Sequence, residues 1–87
     1  MAGYIVINGS YTAEENHVSF VADFDSLENA KRCCHNNIAE DYGYSSYDEF
    51  LANEEPQFNH PKDYGLMYYI GCSKFEHQEE YKVYELR

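Results

Sequence analysis

Four histidines and three cysteines in this sequence could ligate a metal such as zinc: His17, His35, His60, His77, Cys33, Cys34 and Cys72. Zinc sites usually draw two ligands from positions two to four residues apart, so that both reach one ion. The only local group here is the contiguous Cys33-Cys34-His35, and its spacing gives a metal no support. Asp23-Phe24-Asp25 opens like a calcium loop. That loop needs glycine at its sixth position and glutamate at its twelfth, where this chain has Glu28 and Cys34, so helix capping is the better account of the two aspartates. Nucleophilic catalysis would need a thiol or hydroxyl held against a base. Cys34 falls on the inward stripe of a helix, where a thiol behaves as a small hydrophobe with a raised pKa, and Cys33 sits at the edge of that stripe.

Carboxylates are the abundant chemical group. Adjacent pairs stand at Glu14-Glu15, Glu40-Asp41, Asp48-Glu49, Glu54-Glu55 and Glu79-Glu80. Hydrolytic acid/base work needs two carboxyls in contrasting environments across a cleft, and adjacent exposed pairs do not supply that. The five glycines are isolated, so no phosphate loop exists, and the six lysines and arginines are scattered, so there is no basic patch for nucleic acid. No catalytic residue, metal or cofactor is expected, and the chain reads as a non-enzyme.

With 16 acidic residues against six lysines and arginines, the formal charge is −10 on 87 residues. Solubility in a small domain needs a magnitude of only about 2 to 8. Such a field repels nucleic acid and anionic membrane and steers the chain toward basic surfaces at rates that salt suppresses. The densest acidic region is Glu40 to Glu55, where Glu40, Asp41, Asp48, Glu49, Glu54 and Glu55 interleave with Tyr42, Tyr44 and Tyr47. Carboxylates there supply steering, and the tyrosines, Tyr44 and Tyr47 foremost, supply anchoring contacts. The acid is spread through folded segments, which makes a rigid negative surface and not a disordered tail.

The elements that would position these groups follow from periodicity. Asp25 to Gly43 reads as one amphipathic helix, with Leu27, Ala30, Cys34, Ile38 and Tyr42 on one stripe and Glu28, Asn29, Arg32, Asn36 and Glu40 opposite. Asp25 or Ser26 caps its start, Glu28 stands where a capping box from Asp25 would place it, and Gly43 supplies the left-handed stop. Glu40 and Asp41 add negative charge at the helix end that is already negative, at about 0.3 to 1 kcal/mol per charge. Upstream, Tyr4 to Asn8, continuing to Tyr11, reads as a strand in which Gly9 could mark a bulge. A loop around Ala13 to Asn16 leads to a second strand, His17 to Phe24, with Val18, Phe20, Ala22 and Phe24 on one face.

Downstream, Ser46 with Glu49 signals a short helix carrying Tyr47, Phe50 and Leu51 inward and stopping before Pro56. Gln57 to Asp63 reads as irregular loop between two X-Pro bonds. The sheet resumes at Tyr64, with Leu66, Tyr68, Ile70 and Cys72 alternating with Met67, Tyr69 and Gly71. Lys74 to Glu79 turns the chain, and Glu80 to Leu86 is the last strand.

Residues 1–87 therefore predict a single α+β domain of order ββααββ: an antiparallel sheet of about four strands, one long helix packed on one face and a short second helix. Tyr4, Val21, Tyr69 and Tyr84 are candidates for the uncovered face. Three cysteines, two of them adjacent in a helix, do not build a disulfide framework. The first residues lack a basic start and a long apolar run, so neither a signal peptide nor a membrane span is expected, Ala2 excludes myristoylation, and the expected location is cytoplasmic.

In size, acidity, reduced cysteines and helix-backed sheet, the chain resembles the small phage and mobile-element anti-defence inhibitors, among them anti-CRISPR and anti-restriction DNA mimics. The resemblance is one of type and rests on no motif, so it assigns no residue a role. It implies stoichiometric, non-enzymatic inhibition of a basic nucleic-acid-binding protein, by a monomer or homodimer that does not itself bind nucleic acid or membrane. The alternative is a small acidic adaptor or structural domain that pairs through its uncovered sheet face, without mimicry.

Overall fold

The computed structural model of the protein describes residues 3–59 and 65–86. Its long helix, α1 (Leu27–Asp41), begins where the Ser26 side chain accepts from the Asn29 amide at 3.2 Å. Ser26, not Asp25, is therefore the cap. Glu28 consequently stands one position too early to close a capping box, and its carboxylate lies 3.8 Å from Arg32. The helix stops as Gly43 predicts. At φ 82°, Gly43 lets its own amide reach Glu40 O at 3.0 Å and the Tyr44 amide reach Ala39 O at 2.9 Å, the paired bonds of a Schellman ending. Ala30, Cys34 and Ile38 are wholly buried on the inward stripe, and Ala39 joins them.

The sheet holds four antiparallel strands in the order β2-β1-β4-β3: β1 (Tyr4–Tyr11), β2 (Asn16–Phe24), β3 (Leu66–Lys74) and β4 (His77–Glu85). With the second helix α2 (Tyr47–Asn53), the chain order is ββααββ. Val6, Ile70, Tyr81 and Val83 form the sheet side of the core, against Ala30, Cys34 and Ile38 of α1 and Phe50 of α2. Val6 and Val83 face one another across the two central strands, so both hairpins share one apolar layer.

Several expectations are corrected by cross-strand register. One bulge lies between Val6 and Ile7 and not at Gly9, and a second register shift between Leu66 and Tyr68 takes Leu66 off the face it was expected to share with Tyr68, Ile70 and Cys72. Val6 pairs with Ala22 and Ile7 with Phe20, leaving Val21 as the extra residue. One inserted residue reverses every side chain beyond it. Ala22 and Phe24 therefore stay with the helix side, while Phe20 and Val18 turn to the open face, 62% and 69% exposed. Val21 and Tyr4 pack against the core under the helices and do not belong to the open face. Leu51, expected inward, is 41% exposed, because a two-turn helix anchored by Phe50 can turn only a narrow stripe to the core.

The turn expected over Lys74 to Glu79 shrinks to Phe75 and Glu76, and β4 starts at His77. Gln78, Glu79 and Glu80 are instead paired on both sides, with Tyr11, Ser10 and Gly9 of β1 and with Ser73, Cys72 and Gly71 of β3. Gln57 forms a bridge to Gly71 through two backbone hydrogen bonds of 2.6 and 2.8 Å, lining the outer edge of β3. The remainder of the expected Gln57 to Asp63 loop, from His60 on, and the expected strand start at Tyr64 lie outside the described residues. No helix among the described residues is long and apolar enough to cross a membrane.

Candidate protein-binding surface

The acidic segment from Glu40 to Glu55 forms a corner in which the end of α1 turns into α2. Its placement is rigid for identifiable reasons. The Ser46 side chain caps α2 by accepting from the Glu49 amide at 3.1 Å, and Phe50 is wholly buried beneath the helix. Tyr47 stacks on His35 of α1 with ring centroids 3.9 Å apart and planes 7° apart, tying the two helices side to side. Glu40, Tyr44, Ser46 and Tyr47 line a surface concavity of about 310 Å³ that joins the two helix ends.

The carboxylates on this corner divide into two groups. Glu54 accepts from the Tyr44 hydroxyl at 2.5 Å and from Lys74 Nζ at 3.0 Å, and these bonds hold its pKa below the usual glutamate range. The same bond raises the Tyr44 phenol. Asp41 accepts from the Tyr81 hydroxyl. Its carboxyl is raised above the ordinary range chiefly by desolvation and further by the charges of Glu79 and Glu40, while the Tyr81 bond acts the other way. These two acids have internal partners. Glu40, Asp48, Glu49 and Glu55 are exposed, and among the described residues none of them is ion-paired to a cation. Glu49 keeps a local bond, accepting from the Ser45 hydroxyl at 3.2 Å.

Tyr44 and Tyr47 are half-buried and contact Phe50 from two sides, so each ring is partly committed to holding the corner together. Burial raises the Tyr47 phenol.

The remaining acids of interest were not legible as a pair of buried groups. Glu79 and Glu80 are adjacent in β4 and face opposite sides of the sheet, at 6% and 7% exposure. On the helix side, Glu79 accepts from Ser10 Oγ, from Asn8 Nδ2 at 3.2 Å, and bonds His77 Nε2 at 2.5 Å. On the open side, Glu80 accepts from the Tyr11 and Tyr69 hydroxyls at 3.2 and 3.4 Å and lies 3.4 Å from Lys82 Nζ. Gly9 and Gly71 flank Glu80 in register, and the close approach is what requires glycine there. A Cβ at Gly71 would stand 2.3 Å from the Tyr69 hydroxyl, and one at Gly9 2.6 Å from that of Tyr11. The run S-K-F-E-H-Q-E-E-Y from Ser73 to Tyr81 carries no hydrophobic alternation that would announce a central strand.

Among the described residues the metal and thiol candidates are dispersed, and His60 lies outside those residues. Among the described residues no group of three or more His, Cys, Asp or Glu is placed to hold an ion. All three cysteines are free, and burial raises the thiols, that of Cys34 to about 12. His35 shares a hydrogen bond of 2.7 Å with the Tyr68 hydroxyl, and desolvation lowers its pKa, so it serves the helix–sheet seam as a neutral ring. No protein-family model, curated protein or solved structure matches this chain.

Proposed function

We propose that this protein is a non-enzymatic inhibitor of the anti-CRISPR or anti-restriction DNA-mimic type, acting in the cytoplasm by occupying the basic nucleic-acid-binding groove of a defence effector. The observation that supports this reading most is the corner between the helices: Glu40, Asp48, Glu49 and Glu55 are exposed and ion-paired to no cation among the described residues, on a body fixed by Phe50 and the Tyr47–His35 stack. Duplex DNA presents one negative charge per roughly 1.7 Å of axis. Carboxylates held on a rigid surface can replace phosphates in a basic groove without the entropy loss of ordering a flexible chain. The mechanism is occupancy, and the tyrosine edges at 44 and 47 add apolar contact at the centre of the patch.

The test is competition with duplex DNA for guide-loaded CRISPR nucleases and restriction enzymes across a salt series. The parent protein should displace DNA, with an affinity that falls steeply as salt rises. Glu40→Lys/Glu55→Lys should lose at least about tenfold in affinity, since each reversal removes an attraction and adds a repulsion. Glu40→Lys places a cation at a helix C-terminus, where it should stabilise the fold by about 0.3 to 1 kcal/mol, so loss of inhibition by this variant could not be blamed on unfolding. Competition that ignores salt and both substitutions would remove the electrostatic reading. Glu54, engaged with Tyr44 and Lys74, is a poor choice for reversal because the fold itself uses it.

A further inference from the structure

The two outer edges of the sheet are treated differently. Along β3, Gln57 pairs with Gly71 through both backbone bonds, and Lys74 ends the strand. Along β2, no segment among the described residues pairs with the outer edge. Natural edge strands are blunted by lysine, proline, inward charges or a bulge, and the bulge of β2, at Val21, lies beyond residues 16–20. Asn16–Phe24 contains no lysine, arginine or proline. Its first half, 16–20, is exposed at every residue, and the bulge at Val21 turns Val18 and Phe20 outward on the open face, at 69% and 62% exposure.

We propose that the outer edge of β2 over residues 16–20 is a docking edge that accepts an extended strand from a basic protein, main chain against main chain, with Val18 and Phe20 as its side-chain anchors. Main-chain pairing would supply affinity, and the alternate side chains would supply selectivity. Charge decides the occupant. The edge is flanked by Glu14 and Glu15 before it and by Asp23 and Asp25 after it, all exposed, and His17 within it lies 3.0 Å from Glu15. A second copy would bring these acids against their own kind on two bodies of charge −10 each, whereas a strand bearing lysine or arginine would find opposite charge at both ends. This contact rests on the reading of a basic partner and names a second place where that partner would be held.

The probe is a nine-residue peptide alternating lysine with valine and threonine, beside its glutamate counterpart and a copy of the lysine peptide N-methylated at alternate residues. Binding is read by amide hydrogen exchange and chemical-shift changes along the chain. The lysine peptide should protect amides within 16–20, the glutamate and N-methylated peptides should not, and Val18→Ser/Phe20→Ser should weaken binding about tenfold. Both replaced side chains are exposed, and the N-methylated peptide tests main-chain pairing without any variant. Lysine-peptide binding confined to Glu40–Glu55 would overturn the docking edge and leave the acidic-corner reading standing. Protection of 16–20 accompanied by doubled sedimentation mass in the absence of peptide would assign the edge to a second copy and overturn the proposal. Binding of the lysine peptide to neither surface would count against both readings.

Discussion

Asp41 carries the most direct energetic statement available from a single residue. It ends α1 where free carbonyls already make the helix terminus negative, it has lost water against Tyr81, and Glu79 is a second negative neighbour. Its folded-state pKa is raised, so its contribution to stability is fully present below the ordinary aspartate value of about 3.9 and is lost as pH climbs through the raised folded value. Asp41→Asn removes that charge and keeps an oxygen to accept from Tyr81. The variant should be more stable than the parent at pH 7, by no more than about 1 kcal/mol at so accessible a site, and indistinguishable from it at pH 3. Urea midpoints at the two pH values test this; a difference that widens on acidification would contradict it. Glu54 has the opposite sign. Its lowered pKa gives stability that is present above the ordinary glutamate range and fades as pH falls through the lowered folded value.

Among the elements, the β3–β4 hairpin departs furthest from expectation. It turns on two residues, and Phe75 adopts φ 59° with its side chain 97% exposed. A bulky residue in the left-handed region is strained by about 1 to 2 kcal/mol, and glycine or asparagine is the usual occupant. Phe75→Asn should therefore raise stability by about 1 kcal/mol, seen as a higher urea midpoint with an unchanged slope. Phe75→Gly should gain at least as much. Phe75 and not Glu76 has positive φ, the two-residue turn geometry whose first position favours glycine, and this offsets the freedom glycine gives the unfolded chain. A lower midpoint for Phe75→Asn would show that the ring contributes folded-state contacts. The hairpin is hidden in the sequence because neither Phe75 nor Glu76 carries the turn chemistry that marks a two-residue loop, and the glutamates that follow have the composition of a solvated turn. By contrast, α1 and α2 were legible almost to their ends, since caps and the glycine stop act over four residues of contiguous chain.

At the scale of the molecule, 16 acids face six lysines and arginines, so even with Glu28, Glu54 and Glu80 each close to one of those cations the acids outnumber them. Self-repulsion should weaken the fold at low ionic strength. Raising sodium chloride from about 0.05 to 0.5 M shortens the screening length from above 10 Å toward 4 Å, and should raise the melting temperature by several degrees, equivalent to about 1 kcal/mol. The proposed partner contacts should respond in the opposite direction, weakening over the same series. A melting temperature that falls with salt would mean that favourable ion pairs outweigh repulsion in the folded state.

The sequence by itself determined the ββααββ order, the antiparallel α+β class, the glycine stop of the long helix, and the inward stripe of Ala30, Cys34 and Ile38. These follow from local periodicity and from hydrogen bonds between near neighbours. Tertiary structure alone decided the register. Placing Val21 outside the β1–β2 ladder reversed Phe20 and Val18, and setting Glu79 and Glu80 on a central strand buried two carboxylates against partners some 70 residues away in the chain. It also sorted the acidic corner. Which residues are acidic is written in the chain, but Glu54 is neutralised by Lys74 and Asp41 is engaged by Tyr81 only because the sheet brings those strands beneath the helices. Cross-strand pairing is a long-range contact, and one residue of slip changes the face of every side chain that follows.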